Sequence, residues 1–194
     1  TSDTPSTAAR TVSFTVNDGG NTGSGGAIST TRVATDTVNV TAVNDAPINV
    51  FPTSAGTGMN QALTFSTANG NALSVTDYEG NLSTTKVTVT NGIVNVTLSG
   101  AASISAGAQG STTLTISGTQ ADINATLQGL KFTPTGGFTG TATLQMVSTD
   151  SSAAADTDTF NIVVTAPASL PRIDLDSTAG TGGTIKDDFA SGGY

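Results

Sequence analysis

The feature that most constrains the fold of this chain is an alternation of apolar and hydroxyl side chains with a period of two. Four runs show it: TVSFTV at 11–16, TVNVTA at 37–42, TATLQM at 141–146 and TFNIVV at 159–164. Successive side chains of a strand point to opposite faces, so each run predicts a strand with one buried and one solvated face. The pattern therefore predicts an all-β fold.

Two local signals add a turn and a helix to this picture. Asn91-Gly92 separates alternating runs at 87–89 and 94–98, and this dipeptide predicts a β-hairpin because both residues tolerate a positive φ. The segment 119–130 instead carries apolar residues at helical spacing, with Thr119 placed to cap the first turn. It predicts one short helix of about two to three turns.

The apolar positions of these strands and of the helix predict one shared core. The expected core residues are Leu73, Val75, Val87, Val89, Val94, Val96, Leu114, Ile116, Ile123, Leu127, Phe132, Leu144, Met146, Phe160 and Ile162.

Composition excludes several kinds of chemistry. The chain of 194 residues has no Cys and no His, which excludes a thiol nucleophile, a disulfide framework, a Cys/His zinc site and imidazole acid–base catalysis. Six Lys and Arg against fourteen Asp and Glu give a net charge of −8, with no basic stripe for nucleic acid. No apolar run approaches the ~20 residues that span a bilayer. Cations that prefer oxygen ligands are the partners this composition favours.

The chain also repeats itself. Residues 10–47 can be laid over residues 142–171, as a strand, an Asp-containing loop, Asp-Thr, a second strand and a proline exit. This repeat predicts three parts: 1–46 as the C-terminal hairpin of a preceding repeat, 47–167 as a complete repeat, and 168–194 as a linker and the start of a following module. Two strands cannot bury a core alone, so we expect the N-terminal hairpin to need another surface.

Four segments of the sequence resemble a known family. They are LSVTDYEGN at 73–81, VTVTNGIVNVTLSG at 87–100, SGTQADINATLQGLKFTPTGGFTGTATLQMVSTD at 117–150, and the junction TAVNDAP at 41–47. Together they resemble the cadherin-like, Ig-like tandem repeats of large bacterial surface adhesins of the RTX-adhesin type. The resemblance implies an Ig-like or cadherin-like antiparallel β-sandwich with one short helix, flanked by partial modules. It also implies an exported, cell-surface protein in which such repeats build a stalk.

Cadherin-type modules bridge consecutive domains with Ca²⁺, and the resemblance carries a ligand set onto this chain. Asn44 and Asp45 match the junction, Asp77 and Glu79 match the turn of the next domain, and Asp150 matches a loop ligand. A Ca²⁺ ion binds six to eight oxygen ligands. The implied set is thus a calcium site, and its alternative is that Asn44-Asp45 forms a plain turn, since Asp is a common turn residue.

The leading hypothesis is a structural stalk repeat that is no enzyme, with neighbouring repeats of the same polypeptide as partners. In a variant, the partial modules complete their sheets with another chain, giving a homo-oligomer or a filament by strand donation. The alternative from another class is a calcium-dependent glycan-binding module, although the chain lacks a Trp platform. Asp156 and Asp158 are expected either to point outward, opposite the Phe160 set, or to begin the edge of the strand, and not to act as a catalytic pair.

Overall fold

The computed structural model describes residues 5–16, 24 and 32–168, and it contains thirteen β-strands and one α-helix over those residues. In chain order the elements are β1 (Arg10–Val16), β2 (Arg32–Val38), β3 (Ile48–Val50), β4 (Ala55–Gly58), β5 (Leu63–Thr64), β6 (Ser74–Thr76), β7 (Leu82–Val89), β8 (Gly92–Asn95), β9 (Ser103–Gly107), β10 (Thr113–Ser117), α1 (Gln120–Leu127), β11 (Lys131–Pro134), β12 (Gly140–Asp150) and β13 (Ala155–Thr165). Within that part of the chain, no helix is long and apolar enough to cross a membrane.

Residues 48–165 form a β-sandwich. One layer is a six-stranded sheet in the order β4-β13-β12-β7-β10-β9, and a three-stranded sheet in the order β5-β11-β8 faces it. Strands β3 and β6 form a separate two-stranded antiparallel ribbon. The predicted all-β, Ig-like sandwich with one short helix is confirmed, although one pair, β4 with β13, is parallel rather than antiparallel.

The core lies between the layers and comes from the inward positions of the alternating strands. All the predicted core residues are buried except Phe160, which is partly buried. Phe160 stacks on Phe51 with ring centroids 5.6 Å apart and meets Phe65 edge-on at 6.5 Å. The prediction missed several buried apolar residues: Leu63, Phe65, Leu82, Ala102, Leu130, Ala142 and Val164.

The helix α1 is where the sequence predicts it. The Thr119 side chain accepts a hydrogen bond from the backbone N–H of Asp122, which satisfies one of the free donors of the first turn. Ile123 and Leu127 are fully buried on the face turned to the sheets. The side chain of Asn124 bonds both backbone groups of Val75, at 2.8 and 2.9 Å, and so ties the helix to β6.

The predicted hairpin at Asn91-Gly92 is wrong. Asn91 does take a positive φ of 55°, but β7 pairs with β10 and β12 whereas β8 pairs with β11, so the turn carries the chain from one layer to the other. Gly92 permits this path, because a Cβ there would lie 2.4 Å from the Phe132 ring. The missing side chain lets β8 lie close against β11.

Strands β1 and β2 form a two-stranded antiparallel hairpin with Arg10 opposite Val38. The predicted strand TVNVTA is therefore wrong beyond Val38, since β1 begins at Arg10 and offers later residues no partner. Val12 and Phe14 on this hairpin are exposed, Phe14 to 58%. The predicted tail module lies outside the described residues.

Candidate metal site at the junction

Asn44 ties the segment before the sandwich to the sandwich itself. Residues 39–47 form no strand, and within them the Asn44 amide nitrogen donates to the Oδ2 of Asp150 at 2.6 Å. The same nitrogen donates to the backbone carbonyl of Asp45 at 3.1 Å. A contact across 106 positions of sequence thus fixes the junction against the turn between β12 and β13.

Asp150 is the last residue of β12 and is only 3% exposed. Its Oδ1 accepts hydrogen bonds from the backbone N–H groups of Ser152 and Ala154, which shape the turn into β13. The hydrogen bond from the Asn44 amide lowers the pKa of the Asp150 carboxyl below its ordinary value, and the hydrogen bonds from these two N–H groups add to that effect. Burial acts in the opposite direction but is outweighed. Asp150 is therefore held as a carboxylate facing the junction.

Asp77 lies in the tight turn between β6 and β7 and is 5% exposed. Its Oδ1 accepts from the backbone N–H of Asn81 at 3.1 Å, and Gly80 provides the positive φ of 68° that closes the turn. Gln120, at the start of α1, accepts from the Asp77 backbone N–H at 2.9 Å. The turn places the Asp77 carboxylate and the Asn81 amide at the same end of the sandwich as Asp150.

These side chains form a row in the order Asp77, Asn81, Asn44 and Asp150. With the Asn81 nitrogen bonded to the Asn44 Oδ1 at 2.7 Å, the Asn81 oxygen lies 2.9 and 3.1 Å from the two Asp77 oxygens. With the Asn81 amide turned over, its nitrogen bonds Asp77 and its oxygen lies 2.7 Å from the Asn44 oxygen. In both arrangements two oxygens are in direct contact.

The conflict in this row follows from counting donors. Three contacts join the four groups, and the two ends are carboxylates, which only accept hydrogen bonds. Two amide NH₂ groups cannot serve three contacts, whichever way each amide is turned. A separation of 2.7–3.1 Å also leaves no room for a bridging water. The row therefore lacks one positively charged or donating group.

The two remaining predicted ligands, Asp45 and Glu79, lie beside the row. The Asp45 backbone N–H donates to the Glu79 Oε2 at 3.4 Å, whereas the Asp45 side chain is exposed and points to no partner among the described residues. The Oε1 of Glu79 is buried and has no hydrogen-bond partner there. Glu79 thus supplies a second oxygen whose partner is missing.

The structure brings Asn44, Asp77, Glu79 and Asp150 to one end of the sandwich, with Asp45 contributing its backbone. No three acidic side chains converge closely enough to form a ready metal cage within the described residues. Asn81, which the sequence analysis did not assign, supplies the link between the two carboxylates. Its position in the Asp-x-Glu-Gly-Asn turn, next to the predicted ligands, is the signal that could have found it.

Asp156 and Asp158 lie in the first residues of β13, as one of the two expected placements has it, but the other placement, opposite the Phe160 set, is wrong. Both lie on the same side of β13 as Phe160, because alternate residues share a face. The Asp156 Oδ2 accepts from the backbone N–H of Asn49 at 2.8 Å, and the buried Asn49 amide donates to the Asp156 carbonyl and, at 3.4 Å, to the Asp158 Oδ2. Asp156 binds β3 to strand β13 of the large sheet.

Comparison with known proteins adds little to this description. No protein-family model and no curated protein matches the chain. Among solved structures, the fibronectin(III)-like modules of CbhA from Clostridium thermocellum match with 12% identity and a TM-score of 0.34, over 84% of this chain and 65% of that one. The assignment of the β-sandwich therefore rests on the strand pairing described above.

Proposed function

We propose that this chain is a structural extender repeat of a bacterial surface or extracellular adhesin, and that Ca²⁺ stiffens its junction. The observation that carries the proposal is the row Asp77, Asn81, Asn44 and Asp150, which lacks one donor or cation. A Ca²⁺ ion converts an oxygen–oxygen conflict into shared coordination, since carboxylate and amide oxygens are its usual ligands.

The row also joins the parts that a stalk must hold in line. Asn44 belongs to the segment that leads into the sandwich, Asn81 and Asp77 to the β6–β7 turn, and Asp150 to the end of β12. An ion bound among them would fix the incoming segment to two separate turns of the sandwich. The period-two strands and the repeat in sequence support the same extender role, with neighbouring repeats of the polypeptide as partners.

The first experiment measures thermal unfolding in Ca²⁺ and in chelator. At a Ca²⁺ concentration 100 times the dissociation constant, we expect the free energy of unfolding to rise by about 2.7 kcal/mol. Isothermal titration with Ca²⁺ gives the dissociation constant independently. An unfolding temperature that does not respond to chelator would remove the ion from this proposal.

The variant Asp77→Asn makes the test sharper. Its side chain keeps the shape of Asp77 but brings an NH₂ group, which supplies the third donor that the row lacks. We expect the variant to be at least as stable as the parent in chelator and to lose its response to Ca²⁺. Asp36→Asn on the β1–β2 hairpin makes the same charge change away from the row and should leave the response intact.

Assembly and glycan binding have their own outcomes. Sedimentation of the fragment at high concentration tests strand donation between chains, and a strictly monomeric fragment would leave covalent neighbours as its partners.

Micromolar binding on a glycan array, lost in chelator, would favour the glycan-binding module instead. Tyr78 is half-exposed beside Asp77 and is the aromatic side chain such a site would use.

A further inference from the structure

The Asn44 amide nitrogen donates to Asp150 in the structure, and in this orientation Asn44 cannot also coordinate an ion held by Asp150. In the structure its nitrogen faces the Asp150 Oδ2 at 2.6 Å and its oxygen faces Asn81. A cation coordinated by Asp150 would meet that nitrogen, which carries hydrogens and cannot be a ligand. The amide must turn over to offer its oxygen to an ion held by Asp150.

We propose that Asn44 is a reversible latch, which holds the junction through its nitrogen when no ion is bound and through its oxygen when Ca²⁺ is bound. The inference rests on the proposed function for its second half only. The first half concerns only the hydrogen bond between the Asn44 nitrogen and Asp150. On this proposal the junction is ordered in both conditions, and Ca²⁺ changes its strength rather than creating it.

Geometry supports a turnover of the amide without movement of the backbone. The nitrogen and oxygen of an amide are nearly equal in size, so a half-turn about χ2 exchanges them in the same space. The turn also moves the Asn44 nitrogen to face Asn81, so the Asn81 amide turns over as well and presents its oxygen as the acceptor. The Asn81 nitrogen is released to bond Asp77 at 2.9 and 3.1 Å. One ion at Asp150 thereby satisfies every contact in the row.

The first test is made in chelator throughout, with Asn44→Asp. This variant keeps the size of the side chain but removes the donor and places a carboxylate against Asp150. We expect amide hydrogen exchange in residues 39–46 to become roughly threefold to tenfold faster, because the loss of one such hydrogen bond changes an opening equilibrium by that order. Asn39→Asp is the matched control, since Asn39 is exposed in the same segment and makes no described side-chain hydrogen bond.

The second test adds Ca²⁺. Asn44→Asp offers an oxygen in either rotamer, so we expect it to bind Ca²⁺ more tightly than the parent and to regain its slow exchange when the ion is added. In the parent, the side-chain amide resonance of Asn44 should show a nuclear Overhauser contact that changes on Ca²⁺ binding, as its protons move from the Asp150 side to the Asn81 side.

The outcomes separate the latch from the calcium site. Unchanged exchange in Asn44→Asp under chelator, relative to the parent and to Asn39→Asp, would overturn the latch even if Ca²⁺ binds. Faster exchange in that variant with no Ca²⁺ binding by the parent would keep the nitrogen latch and overturn the proposed calcium function. If Ca²⁺ binds while the Asn44 nitrogen still faces Asp150, the amide does not turn over and that part of the proposal is wrong.

Discussion

Replacing Leu127 by alanine tests whether α1 is a structural part of the core. Leu127 is fully buried between the helix and the sheets, and it lies in the last turn of α1. The substitution removes the equivalent of about three methylene groups, and at ~0.8 kcal/mol each this costs about 2.4 kcal/mol of transfer free energy. The space left behind raises the expected loss in unfolding free energy to about 3–4 kcal/mol.

The helix itself contributes little to this change, because leucine and alanine have similar helix propensities. Urea unfolding followed by far-ultraviolet circular dichroism measures the loss, and the slope of the transition should not change. Leu98→Ala is the matched control: Leu98 is 44% exposed, and its truncation should cost about 1 kcal/mol or less. Equal losses in the two variants would refute the assignment of α1 to the core.

Three further predictions test the layer crossing, the junction and the contact between β3 and β13. Gly92→Ala should lower the unfolding free energy by about 1–3 kcal/mol because its Cβ would meet the Phe132 ring, whereas Gly136→Ala, with open space around it, should change it by less than about 0.5 kcal/mol. In chelator, the free energy of unfolding should fall as the pH drops through 3.8 and below. The reason is that the Asp150 carboxyl has a lowered pKa in the folded protein and therefore takes up its proton at a higher pH in the unfolded chain. The variant Asp150→Asn should lack this part of the pH dependence when unfolding is measured across the same pH range. Asp156→Ala should cost about 1–2 kcal/mol in urea unfolding by removing the acceptor of the Asn49 N–H, and Asp158→Ala should cost less, so equal effects would contradict the pairing.

The parts of this fold that the sequence predicts are those decided by neighbouring residues. The alternation around Val87 and Leu144 determines which side chains face the core, and the Thr119 side chain caps the helix within its own first turn. These features depend on local geometry alone. The burial of the predicted core follows from them.

Choices between distant partners could not be predicted in this way. Asn91-Gly92 predicts a hairpin turn with a positive φ at both residues, but only Asn91 takes a positive φ, and the chain crosses between the layers instead. The close packing of β8 on β11 after the crossing needs the space beside Phe132, a residue distant in sequence. The orientation of Asp156 likewise depends on Asn49, a residue 107 positions away.

The candidate site combines features that the sequence predicts with features that it does not predict. Resemblance of the motifs selected Asp77 and Asp150, and the structure brings them to one end of the sandwich through Asn81 and Asn44. The shortage of one donor is visible only when the order of the four groups in space is known. Asn81 contributes to it through an amide that contacts Asp77 in its own turn and Asn44 on the junction segment, and only the first of these contacts follows from the turn motif.

The parallel pairing of β4 with β13 has a mechanical consequence. Ala55–Gly58 runs alongside Ile162–Thr165 in the same direction, although one strand lies near the beginning of the sandwich and the other at its end. Tension between the two ends of the sandwich pulls these strands past each other along their length. Their hydrogen bonds, together with the 2.8 Å bond from Met59 N–H to the Thr165 carbonyl, then bear the load in shear and must yield together. An antiparallel hairpin pulled apart at its open end would instead lose its bonds one after another, at a lower force.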